Sequence, residues 1–453
     1  MPQSKFNSSK INASRRAALA GLSISVPLLF RHSLVGAAAS PASDKKLIVI
    51  MLRGAMDGLS AIVPHGENNY YQQRSSIAIA KPGEADGAIA LNNLFALNPG
   101  MASLKPFWDQ GSFSFIHASG SHDTTRSHFD AQDYIETATP GRKATQDGWM
   151  NRLLTVLQTQ SGQSEASKKS NLRAISMGPL LPRIYSGNAS VASIEASNVA
   201  GRPAALDNAQ ASSAFAKLYQ SEEASNSAMN RAMNSAFKDA TATRSQIKEA
   251  NQRPDPMAIA AEPNSIEGVA NQANNGALSL NSFSQDAQRL GLLMRRDATI
   301  QMAFLALGGW DTHVAQGNGN GKGQLTNKLS QLSNGLATLA QSLGEQFART
   351  NIMVVSEFGR TVKQNGTNGT DHGHGNVTLL LGGNIAGGKS YGQWPGLDSA
   401  ALYENRDLAI TTDFRGIIAQ MLQGHLQLNE SELAAVLPNM PSSANMREKF
   451  LRF

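Results

Sequence analysis

Seven apolar side chains at helical spacing, set between two short apolar runs, limit the possible folds more than any other part of this chain. Leu325, Leu329, Leu332, Leu336, Leu339, Leu343 and Phe347 follow one another at intervals of three or four, which puts them on one face of an α-helix. Such a stripe is core packing rather than a binding box. Residues 299–307 before it and 352–355 after it read as buried strands. Strand, helix, strand in this order predicts a right-handed crossover and a parallel sheet. The continuous run at 47–52 reads as a further parallel strand, and 112–117 and 377–381 as two more. The fold expected is α/β, three-layer α/β/α, with a mainly parallel central sheet.

The middle of the chain has a different texture. Residues 158–279 are rich in Ser, Ala, Asn and Gln and poor in aromatics, with one strand-like piece at 172–175. Residues 214–250 have helical propensity with weak amphipathicity, and Pro254-Asp255-Pro256 breaks them. The reading is an inserted polar helical region within one α/β domain spanning 40–453.

The N-terminus reads as an address. Arg15-Arg16 precedes a short broken apolar stretch, Leu22 to Phe30, then Ala37-Ala38-Ala39. A basic region, a short apolar core and a small-residue cleavage site make a signal peptide, 1–39, and the arginine pair makes it a twin-arginine signal. The apolar stretch is too short for a stable membrane span. The expected location is periplasmic or secreted. Removing this segment also removes Lys5, Lys10, Arg15, Arg16 and Arg31 with no acidic residue, so the net charge falls from +6 to +1. A nucleic-acid partner loses its electrostatic basis. The 453 residues include no cysteine, which excludes disulfides, thiolate metal sites and cysteine nucleophiles.

Chemistry-bearing residues gather in segments beside the apolar runs: Asp123 to Asp133, Gly308 to His313, Ser356 to Arg360, and Gly369 to Asn376. Ligand sites of parallel sheets form beyond the carboxyl ends of strands, so these segments can converge. Asp311, His313, Glu357, Asp371, His372 and His374 are hard or borderline donors that suit Zn²⁺, Mn²⁺, Mg²⁺ or Ca²⁺. The glycines around His372 and His374 let backbone approach a bound group. Thr124, Thr125 and Ser127 offer hydroxyls as nucleophiles beside Arg126, a bidentate anion holder, and His128. The same hydroxyls can cap a helix beginning near Ala131. Asp57 is either a ligand or the turn residue of Asp57-Gly58, and Arg53 is a candidate anion contact.

These segments, with Leu52 to Leu59, resemble the bacterial family known as domain of unknown function 1501 over nearly the whole mature chain. That family is similar to the alkaline phosphatase and sulfatase superfamily, with its metal pair and Ser, Thr or formylglycine nucleophile. The resemblance implies metal ligands at Asp311, His313, Glu357, Asp371 and His372, and a nucleophile at Ser127 or a preceding Thr. A phosphopentomutase-like register points to Thr124. The chain departs from the pattern where Arg53 replaces the usual metal-binding Asp, and where Asp311 and His313 lie closer than usual. No Cys and no Ser-x-Pro-x-Arg stretch is present to make formylglycine, which disfavours a sulfatase. Two functions follow: a metal-dependent hydrolase of small anionic phosphate or sulfate esters, or an exported binding or assembly protein with a protein partner.

Overall fold

The computed structural model describes residues 44–143, 145–160, 173–178, 180–194, 276–317 and 321–452. The signal segment and most of the polar region, 195–275, lie outside the described residues. Nine strands form the main sheet: β1 Lys46–Leu52, β2 Phe113–Gly120, β3 Ala174–Met177, β4 Ala192–Ile194, β5 Met302–Leu307, β6 Thr350–Ser356, β7 Asn376–Gly382, β8 Ser390–Tyr391 and β9 Thr412–Asp413. Their order is β8-β2-β7-β6-β1-β5-β3-β4, with β9 also on β2. β1 is central and runs parallel to both neighbours, with Leu47 opposite Met302 on one side and Asn351 on the other. Every pairing is parallel except those of β7, which is antiparallel to β2 and β6. β3 and β4 come from inside the span 158–279, so part of that polar region builds one edge of the sheet. A smaller sheet joins Ile62–Val63, Ala96–Leu97 and Ile89–Ala90.

β1 shows why three layers form. Ile48, Ile50 and Leu52 face one core, and Leu47, Val49 and Met51 the other, as a period of two demands. The first core is covered by helices α3 (Phe283–Arg296) and α4 (Gln324–Leu343). The second is covered by α1 (His128–Thr137), α2 (Trp149–Thr159) and α5 (Phe414–Gln420). The α4 leucines are all buried. Truncating one, such as Leu332, removes about 2–5 kcal/mol of stability. α4 ends at Gly344 (φ 55°), so Phe347 belongs to the 3₁₀ turn that follows rather than to the helix. α3 approaches α4 closely enough that a Cβ on Gly335 would stand 2.1 Å from the Phe283 ring. No helix among the described residues is long and apolar enough to cross a membrane.

The chemistry-bearing segments follow from this topology. Those after β1, β2, β5 and β6 leave the carboxyl ends of their strands. The 371–375 loop enters β7, and because β7 is reversed its beginning lies at that same end, with Asn376 opposite Ser119.

Candidate metal centre

Ser127 is the N-cap of α1, its hydroxyl accepting from the Asp130 amide at 3.5 Å. This cap sets His128 in the first turn, pointing at the loops after β5 and β6. His128 Nδ1 donates to Glu357 Oε1 at 2.8 Å, and its ring stacks on Phe358. His313 Nδ1 donates to Asp371 Oδ1 at 3.1 Å. His372 Nδ1 donates to the Arg126 carbonyl at 3.0 Å. A carboxylate or carbonyl accepts only, so Nδ1 of His128 and of His372 carries a proton, whereas His313 has a carboxylate beside each ring nitrogen, Asp371 at Nδ1 and Asp311 at Nε2. The Nε2 lone pairs of His128 and His372 are therefore turned toward each other. His372 Nε2 lies 3.0 Å from the Nε2 of His128 and 3.0 Å from that of His313. Asp311 completes the cluster, 3.0 Å from His313 Nε2, 3.4 Å from His372 Nε2 and 3.6 Å from His128 Nε2. Ligand atoms of His128, Asp311 and His372 all lie within 4.8 Å of one another.

Neutral imidazoles have no donor to place between such nitrogens. A cation resolves the conflict: two nitrogens each about 2.0–2.1 Å from one zinc-sized ion sit roughly 3 Å apart. Anchoring Nδ1 on an oxygen while Nε2 faces the ion is the usual support of metal-bound histidine. The donor set thus fits one divalent ion held by His128, His372 and Asp311, with His313 beside it.

Without an ion, a proton takes part of its place. Burial lowers the His128 pKa, but hydrogen bonds to Asp311 and Glu357 outweigh it and raise it to about 9. Burial pushes the Asp311 carboxyl up, while His128, His372 and Arg360 together hold it far below the usual carboxylate range. Arg360 is buried and fixed: Nη2 meets Asp311 Oδ1 at 2.5 Å and the Gly54 carbonyl at 2.7 Å, and Nε meets the Ala55 carbonyl at 2.7 Å. Gly54 (φ 114°) allows this approach, since a Cβ there would lie 2.7 Å from the Asp311 amide.

The other candidates stand as follows. Glu357 is buried and accepts from the Gly54 amide, Gln132, His128 and Ser356, so it orients His128 from behind. Burial works against its charge, but these donors keep its pKa lowered. Asp371 supports His313 in the same way from a more exposed position, its pKa lowered by Asn365 and His313. Asp57 pairs with Arg74 at 2.5 Å and also accepts from Ser60 and Gln316. His374 stacks on Tyr403 with centroids 4.2 Å apart, and burial pulls its pKa to about 4. Arg126 is held by Glu404 at 2.6 Å and Asp407 at 2.9 Å, and Arg53 by Glu136 at 2.5 Å. Thr124 is exposed. The glycines have a different use from the one expected: they pack loop on loop. Gly359 and Gly373 exchange backbone hydrogen bonds with His374 and Gly359, and a Cβ on Gly359 would lie 1.8 Å from the Gly375 oxygen.

Arg360 and Gln132 had no role in the sequence reading. The signal for Arg360 was its place in the Glu357 loop; for Gln132 it was its distance of four residues from His128, one turn along the same helix face.

A family model described as protein of unknown function (DUF1501) matches residues 112–437. No curated protein matches this chain. Among solved structures, the chain is similar to the C-terminal periplasmic domain of EcEptC from Escherichia coli in complex with Zn. Identity is 9%, with 75% of this chain and 73% of that chain covered and a TM-score of 0.31. A likeness of this size says nothing about substrate or site.

Proposed function

Starting from a chain that belongs to the DUF1501 family, we propose an exported metal-dependent hydrolase acting on phosphate or, less readily, sulfate esters. One observation carries the reading: His128 and His372, each with Nδ1 anchored on an oxygen, bring their Nε2 atoms to 3.0 Å from one another beside Asp311. The ester class comes from the sequence resemblance to the alkaline phosphatase superfamily.

A bound divalent ion supplies charge neutralisation and a lowered pKa for a hydroxyl or water. The protein supplies position. His128, His372 and Asp311 would hold the ion with His313 beside them, while Glu357 and the Arg126 carbonyl keep the His128 and His372 rings in the correct tautomer and Asp371 orients His313. Ser127 is the favoured nucleophile because it lies between Arg126 and His128 and its capping bond is long, 3.5 Å. Thr124 is the alternative. Arg126 reaches an ester oxygen by exchanging Glu404, the exposed partner of its pair.

A second reading, a binding or assembly protein without turnover, is favoured by the engagement of both Arg53 and Arg126 with carboxylates. Elemental analysis of the exported form, with a panel of phosphomonoesters, phosphodiesters and sulfate esters under Zn²⁺, Mn²⁺, Mg²⁺ and Ca²⁺, separates the two. The hydrolase reading expects stoichiometric metal and metal-dependent turnover lost in Ser127→Ala or Thr124→Ala. Bound metal with no turnover supports the binding protein, and metal-free folded protein removes both metal roles. The twin-arginine route rests on Arg15-Arg16. The precursor of the double Arg→Lys variant is expected to remain in the cytoplasm on fractionation.

A further inference from the structure

His372 is held from two sides, by the Arg126 carbonyl before α1 and by Arg406 of a short hairpin. Its Nδ1 donates to the Arg126 carbonyl at 3.0 Å, and its own carbonyl accepts from Arg406 Nη2 at 2.9 Å. Both arginines end on Asp407. Arg126 Nη2 and Arg406 Nη2 each lie 2.9 Å from its Oδ2, and Arg406 Nε lies 2.9 Å from its Oδ1. The Asp407 backbone is fixed as well: its amide donates to the Tyr403 carbonyl at 3.0 Å, and the Tyr403 amide donates back at 2.8 Å. Tyr403 in turn stacks on His374, two residues from His372.

Asp407 is fully buried, while the two arginines are partly exposed. A buried carboxylate is costly unless it is paired, and one guanidinium would neutralise it. Asp407 has two, and each has a second task at His372. Glu404 forms a contrast: it also accepts from Arg126, at 2.6 Å, but from the exposed tip of the hairpin. Ion pairs of that kind contribute little.

We propose that Asp407 is a positioning residue of the metal centre. It fixes the Arg126 carbonyl and the Arg406 guanidinium so that His372 keeps its proton on Nδ1 and presents Nε2 to the ion. The inference rests on the metal reading of the site and extends it to a support that touches neither ion nor substrate. Loss of such an outer support costs about 10-fold or more in metal affinity.

The test uses the full exported chain with Asp407→Asn, Glu404→Gln as a surface comparison, and Arg406→Gln should the first variant fail to fold. Two quantities are read: zinc affinity by chelator competition, and histidine tautomers in zinc-free protein by long-range ¹H–¹⁵N correlation. Asp407→Asn is expected to weaken zinc about 10-fold and to turn the single Nδ1–H form of His372 into a mixture. Arg406→Gln is expected to shift both in the same direction, and Glu404→Gln to leave zinc affinity within about twofold. Unchanged zinc affinity in Asp407→Asn, or in Arg406→Gln should Asp407→Asn not fold, overturns the proposal. So does weakened binding with His372 still wholly in the Nδ1–H form. If the unmodified chain binds no zinc, the metal reading falls, and the tautomer comparison alone decides whether Asp407 positions His372.

Discussion

Asp57 and Asp311 follow adjacent strands of one sheet, and each is clamped by a fully buried arginine at 2.5 Å, Arg74 for the first and Arg360 for the second. They differ in what fills the rest of the carboxylate. Asp57 is buried, and its other neighbours, Ser60 Oγ and Gln316 Nε2, donate to it. Asp311 is partly open to solvent and faces the Nε2 atoms of His372 and His128, which accept because their Nδ1 atoms carry the proton. One cluster is complete in itself. The other has an excess of acceptors, relieved in part by a proton on His128 and, in the reading proposed above, by a metal ion. An Asp–Arg pair is thus closed where the remaining neighbours donate and open to a cation where they accept.

The largest effect tests the closed cluster. Arg74→Met leaves Asp57 buried without its counter-ion and is expected to cost about 3–5 kcal/mol in denaturant unfolding. Bound metal in the folded fraction should stay the same; a fall in metal content would mean that the two clusters are not separate. Next, His372→Ala removes a central donor of the open cluster and should weaken metal by more than about 100-fold, beyond the loss of any outer support. Retention of stoichiometric metal by this variant would move the site elsewhere. Glu357→Gln keeps the shape but removes the negative charge behind His128, with an expected loss of about 10-fold, read by the same competition titration.

The smallest effect is on pH dependence, and its sign differs between histidines. His128, raised to about 9 because Asp311 and Glu357 outweigh burial, stabilises metal-free protein fully below its unfolded value of about 6.5. That contribution is lost as pH rises through about 9. His117, pulled by burial to about 4, acts oppositely: its contribution is present above about 6.5 and lost as pH falls toward 4. An ion displaces the His128 proton. Melting temperatures should therefore decline toward pH 9 in chelator-treated protein and hold in metal-loaded protein. Equal decline in both would place the His128 proton outside metal binding.

Much of this architecture was legible because its signals are local. The α4 leucines announce a helix by spacing alone, and 47–52 announces a strand buried on both faces. The reversal of β7 was not legible, since an apolar run buried on both sides reads the same in either direction. In the site, the segments carrying His128, Asp311, His313 and His372 stood out as clusters of donors beside glycines. Their division of labour did not. Glu357 supports rather than faces the ion because Gly54 and Gln132, remote in sequence, already use its oxygens. Asp57 is closed off by Arg74 and Gln316, one of which lies 259 residues away. Such pairings are decided by topology.

The reversal of β7 also sets a schedule. Two donors 3.0 Å apart, His128 and His372, are separated by 244 residues, and the loop that carries His372 is laid against the Glu357 loop only when β7 has taken its place between β2 and β6. A chain emerging from its N-terminus therefore has His128 alone until Asp311 is made, and the whole set only once His372 follows. If the site is loaded as proposed, metal occupancy would record completed folding, set by the strand that enters between β2 and β6.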